Sequence, residues 1–140
     1  MKKGYSLFEA MIALSLASIL IYMVSTSFMS LSPKYKLRRA AGEIYARLQY
    51  ARYKAIFEGR PMRVRFVRNG YAVERFDEAE KKWHPVNSGI LEDATVEANN
   101  SPVFHPVGTV SNLATVLVFN RAGKYKLTLA ISGRIRMTML

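Results

Sequence analysis

The sequence predicts an α+β fold: one long N-terminal helix laid against an antiparallel β-sheet. Three observations carry that expectation. Residues 10–33 are 24 consecutive positions without a charge, long enough for a helix to cross a bilayer. Beyond Pro33, apolar residues recur at helical spacing as far as Ala55. From Met62 onward, alternating apolar and polar residues, interrupted by Gly, Asn and Ser clusters, read as strands and turns. With 140 residues in all, the part after the uncharged run still suffices for one modest core.

The helix is expected to begin at Tyr5, after a short basic leader of Met1, Lys2, Lys3 and Gly4, and to run through Ser6, Leu7, Phe8 and Glu9 into the apolar residues 10–31. A cleaved secretory signal would place small residues beyond its apolar stretch, but no Ala-x-Ala pattern follows residue 31. The small residue, Gly4, comes before the stretch instead. An uncleaved anchor with Lys2 and Lys3 kept on the cytoplasmic side is the plain reading. Glu9 stands at the edge of the apolar run, where a carboxylate costs on the order of several kcal/mol, which makes it a functional candidate. In a bundle of such helices its natural partner is a neighbour's terminal ammonium.

Pro33 is expected to kink or briefly break the helix. After it, Leu37, Ala41, Ile44, Leu48, Ala51 and Ala55 step by four, three, four, three and four, which is one face of an amphipathic helix. Glu58, Gly59, Arg60 and Pro61 end it. Arg38, Arg39, Arg47, Arg52 and Lys54 lie mostly off that face and read as solvated surface. A lipid-facing role for Lys34, Lys36, Arg38 and Arg39 is the other reading.

Met62 to Phe66 alternate, and Asn69-Gly70 is a two-residue hairpin signal before Tyr71 to Phe76. Residues 77–82 form a charged turn. Weaker strand material surrounds Ile90-Leu91 and Thr95-Val96, with loops expected at Asn87-Ser88-Gly89 and at residues 99–102. Residues 115–119 are a buried strand turned at 120–123, and residues 124–131 and 135–139 form a terminal hairpin. A loop of Ser132, Gly133 and Arg134 would pair Ile131 with Ile135 and Leu129 with Met137, keeping one face apolar. Arg136 then points outward beside Lys124, Lys126 and Thr128.

Charge narrows the partners. The chain carries 21 Lys and Arg against 10 Asp and Glu, a formal +11, which favours polyanions or anionic lipid. Residues 121–140 hold five cations (Arg121, Lys124, Lys126, Arg134 and Arg136) and no acid. The absence of cysteine excludes disulfides, thiolate metal sites and a cysteine nucleophile. His84 and His105 each precede a proline and lack metal-ligand spacing, and no Gly-x-x-x-x-Gly-Lys phosphate loop occurs. No enzyme, metal or cofactor is expected.

Lys2, Lys3 and Gly4, followed by Tyr5 to Glu9 and an apolar helix, resemble the class III leader of type IV pilins and pseudopilins. That resemblance implies cleavage by a prepilin peptidase after Gly4, methylation of the new terminus at Tyr5, and Glu9 as the assembly glutamate at the fifth mature position. Tyr5 departs from the more usual Phe or Met. The helix from Leu37 to Phe57 with Val64, Arg65 and Phe66, the segment Phe104-His105-Pro106-Val107-Gly108, and the ending Gly133-Arg134-Ile135-Arg136 resemble the pseudopilin H and FimT family.

That family's type IV pilin-like fold implies a leader (1–4), a transmembrane and filament-core helix (5–32), and a periplasmic head (33–140) with amphipathic helix 34–58 and sheet 62–139. The implied role is a minor pilin or pseudopilin, held in the bacterial inner membrane and then in a pilus or pseudopilus. In FimT-like minor pilins a C-terminal Gly-Arg-x-Arg segment is tied to DNA binding in natural transformation, and Gly133, Arg134 and Arg136 match it, with Lys124 and Lys126 alongside. Such guanidiniums would hold phosphates without reading sequence. Tyr125 is the one stacking candidate beside them. The implied partners are other pilins, the prepilin peptidase, the inner membrane and DNA. Two alternatives stand: a pseudopilin H acting in a secretion tip complex without DNA, and a bitopic membrane protein that never assembles and keeps Lys2 and Lys3.

Overall fold

The computed structural model describes residues 6–140, and residues 26–31 by their backbone alone. Gly4 and Tyr5, the expected processing site, lie outside the described residues. Helix α1 (Leu7–Glu58) is followed by β1 (Met62–Val67), β2 (Gly70–Asp77), β3 (Lys82–Ile90), β4 (Thr95–Ala98), β5 (Val103–Phe104), β6 (Val110–Ser111), β7 (Thr115–Asn120), β8 (Gly123–Leu129) and β9 (Ile135–Met139). The chain divides into two compact units, Met1–Ser32 and Pro33–Leu140.

In the first unit, Leu7–Ser25 is a 19-residue stretch of mean hydropathy 2.1 with no part of it buried. By length and composition it can cross a membrane. Leu7, Phe8, Met11, Leu14 and Leu20 are all exposed, so the helix is apolar on every side. The Ser15 and Ser18 hydroxyls donate to the carbonyls of Ile12 and Ser15 at 2.8 Å each, so neither needs water.

Pro33 lies inside α1 and does not end it. A proline removes one backbone donor, and the turns on either side keep theirs. The expected break is therefore absent.

The second unit is built on the helical stripe. Leu37, Ala41, Ile44, Leu48, Ala51 and Ala55 are at most 1% exposed, as their spacing requires. Burying a side chain such as Leu48 contributes about 1.5–3 kcal/mol. Opposite them stand two sheets rather than one: a five-stranded sheet ordered β3-β2-β1-β5-β6 and a four-stranded sheet ordered β4-β7-β8-β9. Every pairing is antiparallel. The chain leaves the first sheet after β3 through Asp93, whose φ of 64° turns it sharply into β4. Phe104, on the short β5, is wholly buried against Met62 of β1 and Val110 of β6.

Two local expectations shift. The β1–β2 turn consists of Arg68 and Asn69, because Val67 pairs with Gly70, which already belongs to β2. Gly70 is needed for a different reason: a Cβ there would run into the backbone carbonyl of Gly89 on β3. Asn87, Ser88 and Gly89, expected as a loop, are the end of the nine-residue β3. Their polar side chains gave no strand pattern. β3 is an edge strand whose hydrogen bonds come from β2, and Val86 is skipped where the register shifts between Val73 and Glu74. Such an edge also tolerates Pro85.

Polar contacts tie these layers together. Glu74 is the buried carboxylate of the first sheet, held by Arg63 at 2.5 Å and Arg65 at 3.2 Å, while Arg63 lies 4.5 Å over the Trp83 ring. Tyr71 donates to Glu43 at 2.9 Å. Burial, reinforced by that carboxylate, holds the phenol above its ordinary titration range. The Asn120 amide donates to the carbonyls of Pro33 and Asp93 at 2.9 and 3.3 Å, and its oxygen accepts from the Ala122 N–H at 2.7 Å.

Candidate functional site

The basic hairpin is β8 and β9. Leu129 pairs with Ile135, Leu127 with Met137 and Tyr125 with Met139, so the register differs by two residues from the expected pairing. The loop is residues 131–133, closed by the Ala130 N–H to the Arg134 carbonyl at 2.9 Å and the Gly133 N–H to the Ala130 carbonyl at 2.9 Å. A three-residue loop of this kind ends on a left-handed residue, and Gly133 has a φ of 81°. Placing Gly133 in the middle of the loop, as Ser132-Gly133-Arg134 would, wastes the one residue able to take that conformation. Ile131 consequently leaves the apolar face and is exposed. The faces themselves are unchanged: Leu127, Leu129 and Ile135 are buried, and Arg136 is exposed opposite Thr128.

Lys124 is exposed and stands 5.7 Å over the Phe119 ring; Lys126 is half-buried between Leu117 of β7 and Thr138 of β9. Arg134 is exposed at the loop exit. Among the described residues, no ion pair engages Lys124, Lys126, Arg134 or Arg136. The last acid in the chain is Glu97. The cations brought together here therefore keep their full charge for an external anion.

Gly133 plays a different part from the arginine after it. It is buried, and a Cβ would meet both Arg52 Nε and the Gly108 carbonyl oxygen at 2.5 Å. Arg52 of α1 donates from Nε to the Gly108 carbonyl at 3.3 Å and from Nη2 to the Ser132 carbonyl at 3.2 Å. One guanidinium thus anchors two turns to the helix, including the turn that presents Arg134. Among the off-stripe cations expected as solvated surface, Arg47 lies over the Tyr71 ring and Lys54 pairs with Glu58, and Arg52 is the one bound to distant carbonyls. No local pattern marks it, because its acceptors lie 56 and 80 residues further along the chain.

Glu9 sits in the first turn of α1 and is exposed. A carboxylate there complements the helix dipole. It lies in the first unit and the hairpin in the second. No group of three or more metal-ligating side chains occurs among the described residues.

Residues 40–137, more than half of the chain, match the family model described as type II transport protein GspH. The chain is similar to the minor pseudopilin EpsH of the Vibrio cholerae type 2 secretion system, at 17% identity over 74% of this chain and 97% of that one, with a TM-score of 0.65. It is also similar to the type IV minor pilin FimU of Pseudomonas aeruginosa, at 20% identity over 75% of this chain and 90% of that one, with a TM-score of 0.62. A search of curated proteins finds no match. At these identities the solved structures speak for the fold, and the family match reaches further: the chain belongs to the GspH family and has the pilin-like fold of minor pseudopilins and minor pilins.

Proposed function

We propose that this chain is a minor pilin or pseudopilin that assembles through its N-terminal helix, and that its basic hairpin holds DNA without sequence preference. The observation that carries the assembly reading is the wholly exposed apolar stretch Leu7–Ser25 with Glu9 in its first turn. An apolar helix with nothing covering it needs lipid or other helices around it. In this reading the inner membrane holds the subunit with its head in the periplasm, a prepilin peptidase cuts after Gly4, and Glu9 meets the freed ammonium of a neighbour in the filament. The role is structural, with no catalytic step.

Mass spectrometry of the mature chain tests the first half. The N-terminus is expected to be methylated Tyr5; a chain beginning at Met1 with Lys2 and Lys3 retained would leave only the non-assembling membrane protein.

DNA binding rests on Lys124, Lys126, Arg134 and Arg136, all without an internal ion pair among the described residues. Full-length protein in detergent should shift duplex DNA at low salt. Arg134→Gln with Arg136→Gln should weaken that binding roughly tenfold or more and lower the salt slope by about 1 per cation removed. Unchanged affinity would leave the second reading, a pseudopilin of a secretion tip complex that does not touch DNA. The match to the family of type II transport protein GspH supports that alternative.

A further inference from the structure

We infer that the free edge of β9 is a docking site for an extended, acidic strand of a partner protein, which would continue the four-stranded sheet by one. The inference shares Arg134 and Arg136 with the DNA reading but rests on backbone groups of β9 that DNA binding does not use. It begins with the four sheet edges, β3, β6, β4 and β9. Three of them are closed to further pairing. β3 contains Pro85 and a register shift, two devices that spoil an edge. β6 is two residues long and its Val110 N–H already donates to the Ile131 carbonyl at 2.9 Å. β4 is covered where the Val96 N–H donates to the Arg68 carbonyl at 2.9 Å.

β9 has none of these protections. It is five residues long, free of proline and in unbroken register with β8. The Leu140 N–H donates to the Lys124 carbonyl and the Ala130 N–H to the Arg134 carbonyl, each at 2.9 Å. Even-numbered residues of β9 therefore form the hydrogen-bonded pairs with β8, and Ile135, Met137 and Met139 direct their N–H and C=O groups to the open side. Among the described residues, nothing hydrogen-bonds to those three backbones beyond the sheet.

The side chains define the occupant. Met137 and Met139 face the apolar side but are 40% and 57% exposed, although their neighbours Leu127 and Leu129 are buried. An added strand with apolar residues on that face would cover them, and methionine adapts to varied shapes. On the other face stand Arg134 and Arg136, with no acid anywhere after Glu97. Cross-strand neighbours of opposite charge stabilise pairing, and like charges oppose it. An acidic strand is therefore selected, and β9 of a second copy of this chain has no acid with which to answer these arginines.

A short synthetic peptide alternating valine and glutamate, titrated against the full-length protein in detergent, tests the site. Expected is binding with slowed amide exchange at Ile135, Met137 and Met139, and affinity at least about tenfold above that of a valine–lysine peptide. Met137→Pro removes an edge-facing N–H while leaving both arginines in place, and should weaken binding by about tenfold or more. As a check that needs no altered protein, the valine–glutamate peptide methylated on alternate backbone nitrogens should not bind. Equal binding of the two peptides, unchanged binding by Met137→Pro or by the methylated peptide, or no protection of the three amides would overturn the proposal. So would dimerisation that protects those amides without peptide.

Discussion

Gly133→Ala should lower stability by about 2–4 kcal/mol and disturb the turn that presents Arg134. Two effects combine. A non-glycine residue at a φ of 81° carries about 1–2 kcal/mol of backbone strain. In addition, the new Cβ would sit 2.5 Å from the Gly108 carbonyl oxygen, which is backbone and cannot swing aside, and 2.5 Å from Arg52 Nε. The protein's single tryptophan, Trp83, lies in the other sheet and reports global unfolding by fluorescence in a denaturant titration. A companion variant separates the causes. Arg52→Ala loses two hydrogen bonds to carbonyls, so it destabilises by itself. Combined with Gly133→Ala it should cost less than the sum, because part of the collision is removed. A stability change under 0.5 kcal/mol for Gly133→Ala, roughly the range of an ordinary surface substitution, would refute this account of the turn.

Phe104→Ala should cost about 3–5 kcal/mol. Phe104 is fully enclosed, and its strand has only two residues with which to adjust. The residues paired with it, Met62 and Val110, are buried too, so the cavity would have no easy route to collapse. Phe57→Ala is the control: 76% exposed and stacked only on Tyr53, it should change stability by less than about 0.5 kcal/mol. Comparable losses at the two phenylalanines would mean that the core is misplaced.

The helix was legible because its information is local. A stripe repeating every three or four residues needs no knowledge of what covers it, and all six residues named from spacing are buried. The division into two sheets was not legible. It depends on three crossings between the sheets, after β3, β4 and β6, two of which turn on a left-handed residue, Asp93 or Asn112, and neither Asp nor Asn carries a unique signal for that conformation. β3 was half missed because an edge strand draws its hydrogen bonds from a neighbour, not from its own polar side chains. At the candidate site, residue types were readable and geometry was not. The arginines of the hairpin stand outward as alternation requires, but the loop lies one position earlier than apolar pairing of Ile131 implies, because the left-handed dihedral of Gly133 outweighs that pairing. Similarly, Gly70 was credited to a turn when its real constraint is the backbone of Gly89, 19 positions away.

The Asn120 amide has a mechanical consequence for any subunit held in a filament. At Pro33 one side chain grips the helix carbonyl, the Asp93 carbonyl and the β7–β8 turn at once. A pull on the Pro33 carbonyl loads only the first of these bonds, while the other two brace the Asn120 side chain behind it, so the grip at Pro33 lasts as long as that one bond.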